Sequence, residues 1–196
     1  NLKTISLPSN LSEIQNNAFL NCSSLTDISI NCLLTIFIDG AEPNNVFGNC
    51  NLINRVNFGN DVLYIDDLIF SRKSPSLSLN FIGSKVKIIN FNGYIEEIGK
   101  SAFRSRTDIS SIVFNNYEGN KNSLKFIREY AFAETGISSI SIPGNVRTME
   151  EGLFFSCNEL TDFSFNILND SSLASIEKIP DYCFFNCFNL NNISLD

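Results

Sequence analysis

The stretch LKTISLPSNLSEIQNNAFLNCSS, residues 2–24, carries the pattern that decides the fold. Its first, fourth and sixth positions are the apolar Leu2, Ile5 and Leu7, and the last two alternate with polar residues, as expected of a strand with one buried face. Further along, Phe19 follows apolar residues located eight and five positions earlier. A unit this short buries too little apolar surface to fold alone, so the pattern should recur.

Both parts of the pattern recur along the chain. The strand pattern begins eight times, at Leu2, Leu25, Ile53, Val86, Ile109, Ile137, Leu160 and Leu190. The Phe pattern ends seven times, at Phe19, Phe47, Phe70, Phe103, Phe132, Phe154 and Phe184, and its two upstream positions are apolar in all units except the one ending at Phe47. A repeat of 23 to 33 residues predicts a solenoid, whose stacked coils bury one continuous core.

The spacing also predicts how the coils are arranged. Strands of like direction are joined by right-handed crossovers, so the repeated strands should form one parallel sheet along one face. We expect about seven repeats plus a final strand, in an α/β-type coil that is mostly parallel sheet joined by short turns or 3-10 segments. The Phe residues should stack as a buried ladder, with Phe103 and Phe132 in its interior.

The longer units contain insertions, which we place in loops. These are residues 39–45, 71–85, 115–123 and 166–175. The second holds Leu77, Leu79 and Phe81 in strict alternation, followed by Gly83 and Ser84, which is typical of an extra strand and a tight turn. A competing register makes Leu79 and Phe81 the repeat strand; we favour the strand after Val86, whose three pattern positions are all apolar.

Residues 2–24 resemble the BspA-like leucine-rich repeat, whose pattern is roughly LxxIxLPxxLxxIxxxAFxxCxx. The similarity is also close in IEEIGKSAF (residues 95–103) and GNVRTMEEGLFFSCNEL (144–160), and it is looser in residues 25–51. The resemblance covers nearly the whole chain and implies a leucine-rich-repeat solenoid. It also implies cell-surface proteins of bacteria and parasitic protists, often linked to adhesion to host or matrix proteins.

Composition limits the domain count and the partners. With 43% apolar residues, 18 Phe and no linker-like stretch, residues 1–196 form a single solenoid domain. A formal net charge of −7 disfavours nucleic acids and anionic membranes, and no apolar run is long enough for membrane insertion. Both ends lie within repeat strands without polar caps, so we expect a segment of a longer repeat array whose exposed ends self-associate.

The sequence offers no catalytic constellation. Histidine is absent, which removes the commonest general base and every His-containing zinc site, and the ten Gly form no phosphate-binding loop. We therefore predict no catalytic residue, no cofactor and no metal site. The acidic pairs Asp66-Asp67, Glu96-Glu97 and Glu150-Glu151 are interpreted as solvated edges of the coils rather than ligands.

Four of the six Cys occupy one position, three residues after the repeat Phe: Cys22, Cys50, Cys157 and Cys187. A fixed position in a coil favours a small buried thiol. Disulfides between adjacent coils, Cys22 with Cys50 and Cys157 with Cys187, are the alternative, because the strand spacing lies within the allowed Cα range. Zinc binding by Cys183 and Cys187 lacks a second ligand pair.

The outward strand positions supply the candidate binding residues. One column reads Thr4, Asp27, Arg55, Ile88, Ser111, Ser139, Asp162 and Asn192, and its neighbour reads Ser6, Ser29, Asn57, Asn90, Val113, Ser141, Ser164 and Ser194. Small polar side chains dominate, and Arg55, Ile88 and Val113 break the pattern. An Arg beside two aliphatic groups is a composition that interfaces enrich, although tolerated surface variation explains it too.

From these observations we predict a non-enzymatic protein–protein interaction module whose partner is another protein. Cell-surface or extracellular adhesion to host or matrix proteins is the function that the resemblance implies. The alternative is a cytoplasmic scaffold, in which the same sheet face holds a subunit of a larger assembly. The oxidation state of the six thiols discriminates between them, because exported proteins form disulfides and cytosolic ones keep free thiols.

Overall fold

The fold is built from short parallel strands. The computed structural model describes residues 1–11, 14, 17–32, 46–59, 62, 64–65, 86–93, 95–115, 124–166 and 176–195. These contain twelve strands: β1 (Thr4–Leu7), β2 (Asp27–Ile30), β3 (Arg55–Phe58), β4 (Tyr64–Ile65), β5 (Ile88–Phe91), β6 (Glu97–Ile98), β7 (Ser111–Phe114), β8 (Phe126–Ile127), β9 (Ser139–Pro143), β10 (Thr148–Met149), β11 (Asp162–Asn166) and β12 (Asn192–Ser194).

The eight predicted repeat strands are all present, as β1, β2, β3, β5, β7, β9, β11 and β12. Within β1, β2, β3, β5 and β7, and within β9, β11 and β12, they pair in parallel and in phase, so that equivalent positions of successive units lie side by side. Ile89 pairs with Val56 on one side and with Ile112 on the other, which confirms the register that follows Val86. The repeated strands of the leucine-rich-repeat solenoid that the resemblance implies are thus confirmed.

The sheet arrangement differs from the single sheet that the spacing predicted. The long strands form a five-stranded sheet, β1-β2-β3-β5-β7, and a three-stranded sheet, β9-β11-β12, which meet where β7 lies beside β9. The short strands β4, β6, β8 and β10 form a further parallel sheet. No described residue lies in a helix. The four coils that begin with β3, β5, β7 and β9 therefore each place a long strand on one face and a two-residue strand on another.

The Phe segments are turns that carry another set of hydrogen bonds between coils. At Phe103, the residue two before the Phe, the Phe itself and the residue two after it donate their N–H groups to the next coil: Ser101 to Glu129 O, Phe103 to Ala131 O and Ser105 to Ala133 O, at 2.8 to 3.0 Å. The same pattern repeats one and two coils later. The outer two residues of each turn have positive φ, among them Tyr130 (55°) and Glu134 (58°) around Phe132.

The core is a ladder of stacked Phe rings, as predicted. Phe103 and Phe132 are fully buried. Ring centroids are 5.8 Å apart from Phe103 to Phe132, 5.6 Å from Phe132 to Phe154 and 5.6 Å from Phe154 to Phe184. A second column, Phe58, Phe91 and Phe114, stacks at 5.2 and 5.0 Å beneath the long strands.

The repeated Cys position has a structural role. The thiols of Cys50, Cys157 and Cys187 each donate to the carbonyl oxygen of the repeat Phe in the preceding coil, at 3.1 Å in each case. All six Cys are free thiols in the structure. In the same position of another coil, the buried Arg106 instead donates two hydrogen bonds to Asp108.

The short-strand sheet ends at β10, and Pro180 removes one of the donors that a further strand would need. In successive coils the residue four before the repeat Phe donates its N–H to the coil before it: Gly99 to Ile65 O, Arg128 to Ile98 O and Glu150 to Ile127 O. Pro180 occupies that position in the next coil and has no N–H to donate. The neighbouring Ile179 is 40% exposed, whereas its counterparts Ile127 and Met149 are 0% and 7% exposed.

Several sequence-based predictions fall outside the described residues. They are Phe70, the pair Asp66-Asp67, the insertions 39–45 and 71–85 with the extra strand at Leu77, Leu79 and Phe81, and nearly all of the insertions 115–123 and 166–175.

Candidate interaction surface

The outward face of the long strands is an ordered array of side chains. Because the strands are in phase, the two outward columns run straight across the coils: Asp27, Arg55, Ile88 and Ser111 in one, and Ser29, Asn57, Asn90 and Val113 in the other. Neighbouring strands lie about 4.8 Å apart, so residues of three successive coils fall within about 10 Å. The backbone of this array is held by the parallel hydrogen-bond ladders, so the order of its side chains is fixed by the register.

The structure brings two of the three predicted residues into direct apposition. Arg55 and Ile88 are cross-strand neighbours, and Val113 lies one coil beyond Ile88 in the other column, beside Asn90. Val113 is 36% exposed and Ile88 is half-buried, so the aliphatic surface is modest. The Arg55 guanidinium lies 3.7 Å from Asp27 on the opposite side from Ile88.

Amide side chains link the middle of this face. Asn90 Nδ2 donates to Asn57 Oδ1 at 2.8 Å, and Asn57 Nδ2 donates to Ser29 Oγ at 3.4 Å. The chain of amides stops at Val113, which has no polar group. Val113 therefore follows a fixed polar ladder directly, which places an apolar group at a defined point on an otherwise hydrogen-bonding surface.

A second surface, along the short strands, is dense in ion pairs. Arg128 donates to both oxygens of Glu97 at 2.8 and 3.0 Å and to Glu150 Oε1 at 2.8 Å, and thus joins three coils. Lys100 pairs with Glu129, and Lys125 with Glu96 at 3.4 Å. The interpretation of Glu96-Glu97 and Glu150-Glu151 as solvated edges is thus incomplete, because Glu96, Glu97 and Glu150 pair with cations of adjacent coils.

These contacts shift the acid–base behaviour of the surface. The hydrogen bonds to Glu97 and Glu150 raise the pKa of Arg128. The hydrogen bond from Tyr130 to Glu151 Oε1, 2.7 Å long, raises the pKa of the Tyr130 hydroxyl because the hydroxyl proton is held by the carboxylate. Both groups therefore stay protonated, and the network acts as a structural clamp between coils rather than a proton-transfer site.

Cys157 and Cys183 are poor nucleophiles. Burial raises the pKa of Cys157 to about 11 and that of Cys183 to about 12, so both are thiols at neutral pH. Within the described ranges, no group of three or more ligand-type side chains is placed to hold a metal ion. In the same part of the chain, no helix has the length and apolar character needed to cross a bilayer.

Comparison with known proteins agrees with this architecture. A family model for the BspA type leucine rich repeat region, in six copies, matches residues 1–77 and 77–196. A leucine rich repeat protein from T. pallidum superposes with a TM-score of 0.60 at 21% identity, over 95% of this chain and 77% of that one. At that identity the likeness extends to the fold alone.

Two further solved structures align over 98% of the chain. A leucine rich cell surface protein from Faecalibacterium prausnitzii A2-165 gives a TM-score of 0.30 at 19% identity over 79% of its length. A leucine-rich repeat protein from Bacteroides ovatus ATCC 8483 gives a TM-score of 0.29 at 18% identity over 68% of its length. No curated protein matches the sequence significantly.

Proposed function

This chain belongs to the BspA-type leucine-rich repeat family, and from that premise we propose that it is a non-enzymatic module that binds another protein through the outward face of its long strands. Solenoids of stacked repeats present extended surfaces on which neighbouring coils act together. The observation that carries the proposal is the juxtaposition of Arg55 and Ile88 on adjacent strands, with Val113 one coil further on.

The energetics of this site favour contact by the aliphatic groups, with Arg55 as a directional group. An exposed ion pair such as the one between Arg55 and Asp27 contributes at most about 1 kcal/mol, so the guanidinium can exchange Asp27 for a carboxylate of the partner at little cost. Ile88 and Val113 add apolar area beside it. Arg with apolar neighbours is the composition enriched at interface centres.

We assign the module to the cell surface, where it would mediate adhesion to host or matrix proteins. This assignment rests on what BspA-like repeats imply as a class. A cytoplasmic scaffold is the second candidate, and the observation that favours it is the set of six free thiols. The two are separated by recovering partners with the immobilised chain from extracellular-matrix extracts and from cytosolic extracts.

The binding surface is tested with the triple variant Arg55→Ser, Ile88→Ser and Val113→Ser. Once a partner is in hand, we expect at least a tenfold weaker Kd, about 1.4 kcal/mol, with an unchanged melting temperature. The matched control is Ser139→Ala, Ser141→Ala and Ser164→Ala, which alters the same columns in later coils. If affinity survives the first variant but falls on deletion of residues 71–85, recognition belongs to the loops and the surface is misassigned.

A further inference from the structure

The edge of β10 that faces away from β8 is unpaired within the part of the chain that the structure describes, although a further coil of the chain follows it. One coil earlier, Lys125 O accepts hydrogen bonds from the N–H groups of Arg147 and Thr148, and Ile127 O accepts one from Glu150. The corresponding atoms of the next coil are Arg147 O and Met149 O. Neither accepts a hydrogen bond from any described residue, because the segment 176–180 does not pair with β10.

The backbone of Met149 completes the edge. N–H and C=O groups of successive strand residues point to alternate sides, and Thr148 and Glu150 direct their N–H groups towards β8. The Met149 N–H therefore faces the outer side together with its carbonyl. Two acceptors and one donor, Arg147 O, Met149 O and Met149 N–H, line this edge in the order that an added strand would bond.

A cleft adjoins this edge. It has a volume of about 690 Å³ and is bounded on the far side by Ile176, Glu177, Lys178 and Pro180. This size falls within the range of protein ligand sites. Met149, Ile176 and Pro180 give the cleft an apolar component, so an occupant would meet both backbone hydrogen bonds and apolar contacts.

The charge of the cleft is acidic. Five carboxylates and two cationic side chains line it. Three of the carboxylates, Glu129, Glu150 and Glu151, are bound to Lys100, Arg128 and Tyr130. Glu177 and Asp181 have no cationic partner among the described residues, and both are exposed. A cationic occupant would complement them.

We propose that this cleft binds an extended segment of a partner protein, with alternating basic and aliphatic residues, which adds to β10 as a further strand. Strand addition gives affinity through main-chain hydrogen bonds and specificity through alternate side chains. Aliphatic residues of the segment pack on Met149 and Ile176, and the basic residues between them face Glu177 and Asp181. This site lies on the short-strand face and is independent of Arg55, Ile88 and Val113.

The probe is the hexapeptide Lys-Val-Lys-Val-Lys-Val-amide with fluorescein on its N-terminal amine, and its binding to the whole chain is followed by fluorescence anisotropy at low salt. We expect saturable binding, and none by the counterpart in which Glu replaces each Lys. Two further peptides carry N-methyl groups on backbone nitrogens: one on those of the three Lys residues, and the other on those of the three Val residues. Only one of them should lose binding, because alternate N–H groups of a strand face the same edge.

Protein variants locate the site. Pro180→Ala restores the missing N–H, so the segment 176–180 can pair with β10; we expect at least tenfold weaker peptide binding, whereas Pro8→Ala, far along the chain, leaves it unchanged. Glu177→Lys should also weaken binding at least tenfold. Its matched control is Glu159→Lys, the same charge reversal at an exposed position outside the cleft.

The proposal is overturned if the peptide does not bind up to millimolar concentration, if the Glu peptide binds equally well, or if both N-methylated peptides bind alike. Equal weakening by Glu177→Lys and Glu159→Lys also overturns it, since that reports net charge alone. Sedimentation of the protein without peptide tests whether a second copy of this chain occupies the cleft. Self-association that Pro180→Ala abolishes would assign the cleft to that second copy and overturn the proposal. None of these outcomes depends on the surface formed by Arg55, Ile88 and Val113.

Discussion

Phe132 shows what the repeat requires of one side chain. Its ring is 0% exposed to solvent. It stacks on Phe103 in the preceding coil and on Phe154 in the following one. Its backbone N–H donates to Leu153 O, and its carbonyl accepts from the Cys157 thiol. One residue therefore joins three coils by packing and hydrogen bonding together.

Truncation of Phe132 to Ala should lower the free energy of unfolding by about 3–5 kcal/mol, through lost transfer energy and the cavity left in the ladder. The measurement is urea denaturation followed by circular dichroism. Phe188→Ala is the matched control, because Phe188 is 80% exposed and its removal should change the free energy little. Equal unfolding free energies for the two variants would contradict the assigned repeat.

Cys157 should make stability depend on pH in the alkaline range. Its pKa is raised from 9.0 to about 11 by burial, so the unfolded chain loses this proton more readily than the folded one. The stabilisation is complete below pH 9 and declines as the pH rises towards 11. Cys157→Ser keeps a donor to Phe132 O but does not ionise.

The check is urea denaturation at several pH values from 8 to 11. We expect the unfolding free energy of Cys157→Ser to fall less steeply than that of the wild type across this range. The two proteins share every other side chain, so the difference between their pH profiles reports the change at residue 157. Parallel pH profiles would show that the thiol does not contribute in this way.

The long strands were predictable from the sequence because alternation of buried and exposed side chains leaves a period-two signal, and a fixed spacing between units sets the register. The short strands left no such signal: two residues, such as Phe126 and Ile127, cannot display a period. Their sheet exists because equivalent segments of successive coils are stacked, which is a property of the assembled coil rather than of the local sequence.

The candidate sites, too, were predictable from the sequence only in part. The apposition of Arg55 and Ile88 followed from the in-phase register, which the sequence contains. The contact of Arg55 with Asp27 was not anticipated, since rotamer choice depends on neighbours. The cleft beside β10 lies where Pro180 lacks the N–H that earlier coils use for pairing, and its sequence signal was a Pro four residues before a repeat Phe. Pro43 stands at the same position before Phe47, outside the described residues.

The Phe turns place strict demands on backbone conformation, and Gly152 is the clearest case. Its φ is 64°, and a Cβ there would overlap the Tyr130 ring of the preceding coil. Gly152→Ala should therefore destabilise the fold by about 1–3 kcal/mol from backbone strain, with the ring contact in addition. Thermal and urea unfolding give the measurement.

A double-mutant cycle separates these two contributions. In a Tyr130→Ala background the ring is gone but the positive φ of residue 152 persists, so Gly152→Ala should cost less than in the wild type yet still destabilise. An identical cost in both backgrounds would mean that the ring moves aside freely. No cost in either would contradict the positive φ.

Across the whole molecule, each coil contacts only its neighbours, so protection of the backbone should follow the stacking order. The amides of Phe132 and Phe154 donate to Leu153 O and Cys183 O, whereas the amide of Phe184 donates to no described residue. Hydrogen exchange observed by NMR should therefore be slow at Phe132 and Phe154 and fast at Phe184. Comparable protection at Phe184 would mean that another group covers that turn.

The hydrogen bonds of the Phe turns all run in one direction. The peptide unit of Ala131 and Phe132 accepts from Phe103 through its C=O and donates to Leu153 through its N–H, and the units of Glu129 with Tyr130 and Ala133 with Glu134 do the same. Three rows of peptide dipoles thus align head to tail along the solenoid, much as in an α-helix, where aligned units amount to about half a charge at each end. Parallel strands, whose bonds point both ways, contribute little to this sum. From the Phe103 turn to the Phe184 turn, these rows give the backbone a dipole with its positive pole at the coil that contains Phe184. Anionic groups are stabilised at that pole and cationic groups at the opposite one. The electric field around the molecule therefore depends on the direction in which the chain runs.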